Sequence, residues 1–170
     1  MSAWLRKVSL TAHVTSSVGW LGAVMVFLAL AIAGMTGGDG SGARAAYIAM
    51  DLAAWRAILP LAIASLLSGV VQSLGTPWGL WRHHWVVAKL LLTIAATLLL
   101  LLHMRPIEAL SDAAIDDVLA LPALRGLRLQ LVVNAGAAML VLLVATALSV
   151  FKPRGLTKRG WRMQRAAHAA

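Results

Sequence analysis

The sequence predicts an all-α fold, an integral membrane four-helix bundle, and three observations carry that reading. Of its 170 residues, 61% are hydrophobic and only 12% charged, about half the charged share of an ordinary soluble domain. Uncharged tracts over 8–38, 57–81, 90–104 and 129–151, the third lengthened by the apolar turn around Trp85, each reach the roughly 20 residues that cross hydrocarbon at about 1.5 Å per residue. The tracts are continuous and rich in Leu and Ala, without the period-2 alternation of an outer-membrane barrel strand. We place the spans near 9–34, 52–75, 83–104 and 129–151, in a single domain covering 1–170.

The opening MSAWLRK has the charge of a targeting signal, but the apolar stretch behind it is too long for a cleaved segment and is read as the first spanning helix. GGDGSGAR then reads as a flexible loop from its glycines. In the second span Pro60 is expected to kink the helix and free a carbonyl near residue 56. After Pro106, residues Ile107, Leu110, Ala114, Ile115, Val118 and Leu119 recur at three- and four-residue steps, with Asp112, Asp116 and Asp117 on the other face. That pattern predicts a short amphipathic outer helix between the third and fourth spans, lying on the leaflet or capping the bundle. Small residues (Gly19, Gly22 and Ala23; Ser65, Ser68 and Gly69; Gly136, Ala137 and Ala138) mark faces where membrane helices approach closely. Trp78, Trp81 and Trp85 look like an interfacial belt.

The formal charge is +9, and its distribution argues against nucleic acid as a partner. Arg6, Lys7, Arg82, Lys152, Arg154, Lys158, Arg159, Arg162 and Arg165 flank one side of the spans, against Arg44, Arg105, Arg125 and Arg128 on the other, which also holds all six acids. By the positive-inside rule both termini are cytoplasmic. The basic tail either sets this topology or adds attraction to anionic headgroups. With no cysteine, disulfides and thiolate sites are excluded, and no nucleotide, zinc or hydrolase motif occurs.

Polar residues at membrane depth are the candidates for function, because unsatisfied polar groups there are costly. His13, Ser16, Ser17 and Trp20 share one helical face; so do Ser65, Ser68, Gly69 and Gln72; Lys89 and His103 face alike with Thr93 and Ala96 between them. These stripes are expected to meet inside the bundle. His13 reads either as a Ser-bonded structural histidine or as an axial haem ligand. Lys89 either snorkels to the interface or holds an anion such as a propionate. His83 and His84 lie at the same edge, solvated or as second ligands. His103 with Met104, and Met50 nearby, could hold copper, while Arg56 and Asn134 could clamp the outer side.

The first helix, LTAHVTSSVGWLGAV, and the third, HHWVVAKLLLTIAATLLLLLH, resemble small bacterial membrane proteins of the HemJ-type protoporphyrinogen oxidase and CopD-type copper-resistance group. These open on a helix His followed by a small-residue Trp-x-Gly stretch and carry a Trp-x-x-x-Lys-Leu segment ending in His. The likeness covers about forty residues, and uncharacterised four-helix members fit it best. It implies His13 and Lys89 as site positions and haem b as cofactor. After Trp20 the chain lacks the Arg, Tyr and second His of the oxidase branch, so the resemblance extends to a binding scaffold more than to a reaction.

The expectation is therefore a haem b or tetrapyrrole site with His13 as iron ligand and Lys89, Gln72, His84 and Ser17 around it, serving redox or haem-handling chemistry. The alternatives are a non-enzymatic accessory subunit, whose polar stripes satisfy one another while its faces dock a larger membrane complex or a second copy, and a copper-handling protein using His103.

Overall fold

In a computed structural model, residues 2–38, 40–75, 83–120 and 122–151 are described, together with 155, 157, 161, 162 and 165. Four helices make up the bundle: α1 over Ala3–Thr36, α2 over Ser41–Gly75, α3 over His84–Ile115, and α4 over Arg125–Phe151. Each is long and apolar enough to cross a membrane. Large apolar side chains such as Val18, Met25, Leu102 and Leu140 stay exposed on the outside of the bundle. A lipid-facing surface accounts for that pattern; a water-facing one would not. Trp78, Trp81, Arg82, Asp39 and most of the basic tail lie outside the described residues.

Two segments differ from the sequence expectation, for identifiable reasons. The second helix starts at Ser41 rather than near 52, so half of the glycine-rich loop is helical. Gly37 and Gly38 end α1, the latter at φ +65, a left-handed conformation that glycine adopts without steric cost. The chain then turns back at once. Tyr47 and Met50 are buried in the core at 1% and 0% exposure, and this apolar face holds the early turns of α2 in helical form despite their low intrinsic propensity. Within α2, the five residues Ala54–Ile58 form a π turn, with the Leu59 N–H bonded to the Ala54 carbonyl. Pro60 lacks the N–H that would reach back to Arg56, and the widened turn just before it absorbs the mismatch.

The amphipathic outer segment is helical, but as the continuation of α3 through Pro106 rather than as a separate helix. Met104, Ile107, Leu110, Ala113 and Ala114 are buried as this part of α3 packs on α2. The gain from that apolar face outweighs the roughly 3 kcal/mol that an interior proline costs a helix. Ile115 and Val118, expected on the same face, are exposed, because α3 ends there. Asp117 takes φ 60 and the Val118 N–H bonds the Ala113 carbonyl at 3.0 Å, the hydrogen bond that closes a Schellman-type helix end.

Not every small-residue face is a helix contact. A Cβ on Gly19 would meet the Leu61 side chain and one on Gly69 the His13 ring, whereas Gly22 and Gly136 have no neighbour within 4 Å.

Candidate functional site

The bundle has a basic end, carrying the N-terminus and the start of α3, and an acidic end, carrying the 37–41 and 116–124 connections. At the basic end residues of all four helices line a cavity of ≈ 820 Å³ that is open on one side, where exposed Val14, Val18 and Val150 form its rim; its volume is within the range of sites that hold a ligand of a few hundred daltons. Helix α1 contributes Arg6, Lys7, Leu10, His13, Ser17 and Trp20; α2 contributes Ser65, Gly69 and Gln72; α3 contributes Trp85, Val86, Lys89 and Thr93; α4 contributes Leu142, Thr146 and Ser149. The three polar stripes read from sequence therefore converge in part: Lys89 and Thr93 of the third reach this cavity, while Ala96 and His103 do not. His13, Ser17, Gln72 and Lys89 share one cavity.

His13 is held by α2. Its Nδ1 lies 3.1 Å from the Ser65 carbonyl oxygen and 3.1 Å from Ser68 Oγ. A carbonyl can only accept, so Nδ1 carries the proton, and Ser68 can accept as well because its own hydroxyl donates to the Ala64 carbonyl at 2.6 Å. In the neutral ring this leaves Nε2 as the lone-pair nitrogen, without a hydrogen-bond partner among the described residues. Gly69 makes the arrangement possible: a Cβ there would sit 3.0 Å from His13 Cε1. One turn along, Ser17 and Ser65 hydroxyls pair at 2.8 Å, joining the same two helices.

Lys89 is half-buried in the cavity wall and has neither a carboxylate nor a hydrogen-bond acceptor among the described residues. Among the described residues the lining contains Arg6, Lys7 and Lys89 and no Asp or Glu. Electrostatically these residues make a mostly apolar chamber with an excess of positive charge, complementary to an apolar body that carries anionic groups.

His84 does not join this group. It is exposed at the start of α3, its N–H on the Gly155 carbonyl at 3.4 Å, and only its neighbours Trp85 and Val86 reach the cavity. The register explains it: with Lys89 and Val86 facing in, His84 is turned outward on the same helix.

His103 lies toward the acidic end, bordering a separate cavity of ≈ 60 Å³ shared with Asn134. Its Nδ1 donates to the Leu99 carbonyl at 2.6 Å and its Nε2 accepts from the Asn134 side-chain amide, with Gln130 at 3.5 Å. Both ring nitrogens are thus used within the bundle, Met50 and Met104 are buried in the core, and no three metal-ligating His, Asp or Glu converge among the described residues. Asn134 pairs with His103 rather than with Arg56, which is exposed.

Sequence reasoning assigned Arg6 and Lys7 to topology and Trp85 to an interfacial belt, yet all three line the cavity. One signal was present: Arg6 precedes His13 by seven residues, two helical turns, and so shares its face.

Compared with known proteins, the chain matches no protein-family model, no curated protein and no solved structure. The functional reading rests on the geometry of this cavity.

Proposed function

We propose that this protein is a haem b-binding protein of the bacterial cytoplasmic membrane, with its basic end and both termini on the cytoplasmic side. The observation that carries the reading is the state of His13: Nδ1 is tied to a backbone carbonyl and a serine, and Nε2 is left with a lone pair at the edge of a chamber large enough for a tetrapyrrole. Metal-ligating histidines are held this way, the second nitrogen donating to a carbonyl so that tautomer and ring orientation are set before the metal arrives.

The rest of the donor set fits the same group. Lys89, Arg6 and Lys7 supply positive charge for the propionates, Gln72 an amide, and Trp20, Leu10 and Leu142 apolar surface for the macrocycle. Ser17 acts at one remove, through Ser65, by fixing α2 against α1. The likeness of the first and third helices to HemJ-type proteins supports the same cofactor. Haem bound there would supply one-electron chemistry; this chain's residues would hold it and set its orientation. Copper handling has less support, since His103 spends both nitrogens inside the bundle.

The test is spectroscopic. Protein purified in mild detergent from haem-replete cells should show a Soret band and a pyridine haemochrome of b type, and His13→Ala should lose at least ten-fold in haem content while remaining folded. A wild-type protein that is folded and carries no haem would end the proposal.

A further inference from the structure

Beyond binding, the cavity wall bears on how many axial ligands this chain can offer. His13 is its one imidazole, and no methionine joins it among the described residues. His84 is turned outward, and His103 belongs to the other end of the bundle. Met50 and Met104 are in the core of the acidic end, Met139 packs partly buried against the core outside the cavity lining, and Met25 and Met35 are exposed on the bundle's outside.

Apart from Lys89 and the Trp85 indole, the polar side chains on the wall formed by α3 and α4 are hydroxyls. Thr93, Thr146 and Ser149 each give their proton to the carbonyl four residues back, on Lys89, Leu142 and Ala145, each at 2.8 Å. A hydroxyl committed in that way is a weak neutral acceptor and a poor ligand for haem iron, which takes imidazole, thioether or an anionic donor. Lys89 as an ammonium has no lone pair to give.

We infer that His13 is the one axial ligand among the described residues, and that a tetrapyrrole iron held by it would keep its second axial position for a small neutral diatomic ligand of the carbon monoxide or nitric oxide class. The inference rests on the haem reading above. It adds that such a site would be five-coordinate at rest and open to an exogenous ligand, in contrast to a bis-histidine electron-transfer site, whose two positions are both filled by protein.

The experiment uses the haem-loaded full chain in detergent, with carbon monoxide as probe. The ferric protein should give a high-spin electron paramagnetic resonance signal, and the dithionite-reduced protein a Soret shift that saturates at one carbon monoxide per haem. His13→Gly, loaded in the presence of free imidazole, should regain the carbon monoxide-responsive spectrum; a purely structural histidine would not be replaced this way. A low-spin ferric spectrum, or a reduced Soret band indifferent to saturating carbon monoxide, overturns the inference and leaves haem binding intact. Absence of any Soret band overturns the haem reading itself, so the two failures are distinguishable.

Discussion

At the acidic end the Arg128 guanidinium is 8% exposed, donates to the carbonyls of Leu119 and Gly38 and stands 5.8 Å over the Tyr47 ring. At the basic end the Lys89 ammonium borders a ≈ 820 Å³ chamber with no acceptor among the described residues. Both are cations inside an apolar bundle, yet one ties together three segments of chain and the other is left to the cavity. A buried charge costs several kcal/mol unless it is paired and hydrogen-bonded. Arg128 meets that cost with the chain's own carbonyls, as a structural part does; Lys89 is half-buried and has no such partner among the described residues.

The contrast can be broken most forcefully at Arg128. Arg128→Met removes the donors of two carbonyls in the packed end, and should cost about 3 kcal/mol, read as a fall in the thermal unfolding midpoint in detergent, with the haem spectrum unchanged. Loss of haem at unchanged stability would mean that the two ends are not separate in function.

Glycine substitutions sharpen the comparison at an intermediate level. A Cβ on Gly34 would lie 2.7 Å from Tyr47 Cζ, and Tyr47, fully enclosed, has nowhere to go. Gly34→Ala should therefore cost about 1–3 kcal/mol through overpacking. On Gly69 the Cβ would press on the His13 ring edge at 3.0 Å, where the cavity lets the ring yield. Gly69→Ala should cost under about 1 kcal/mol but lower haem affinity about ten-fold, as loss of an oriented ligand does. Equal losses of stability from the two variants would contradict the division into a packed end and an open one.

The smallest effect is expected at the Arg44–Asp117 pair, 2.6 Å apart, with side chains 35% and 71% exposed. Arg44→Ala should change stability by under about 1 kcal/mol, because solvent and salt screen such pairs. A larger drop in unfolding midpoint would show that the 116–124 connection is pinned through this contact and not through Arg128.

Much of the candidate site was legible because helical geometry is periodic. His13, Ser17, Ser68, Gln72 and Lys89 can be placed on inward faces by counting residues at 100° per step, and those faces do converge. His84 was misplaced because sequence gives proximity to the membrane edge without the rotation of the helix about its axis, which packing sets. Arg6 and Lys7 could be read as topology charges alone since a cation at an interface has two uses and only the shape beside it tells them apart. The end of the third helix was missed because proline is a strong local signal, overridden here by the burial of Ile107 and Leu110 against α2.

Composition and hydropathy by themselves determined that the chain is all-α, that it forms four apolar helices long enough for a membrane, and that all six acids lie at the end opposite to most of the cations. These follow from local physics: backbone groups in an apolar medium must be satisfied within the helix, and uncharged length is countable. Only the tertiary structure decided that His13 is tethered through Nδ1 by residues some fifty positions away, that His103 spends both nitrogens on α3 and α4, and that a chamber opens at one end while the other is filled. Those depend on the rotation and spacing of helices against one another, which arise from side-chain packing between distant segments and leave no periodic trace in any one of them.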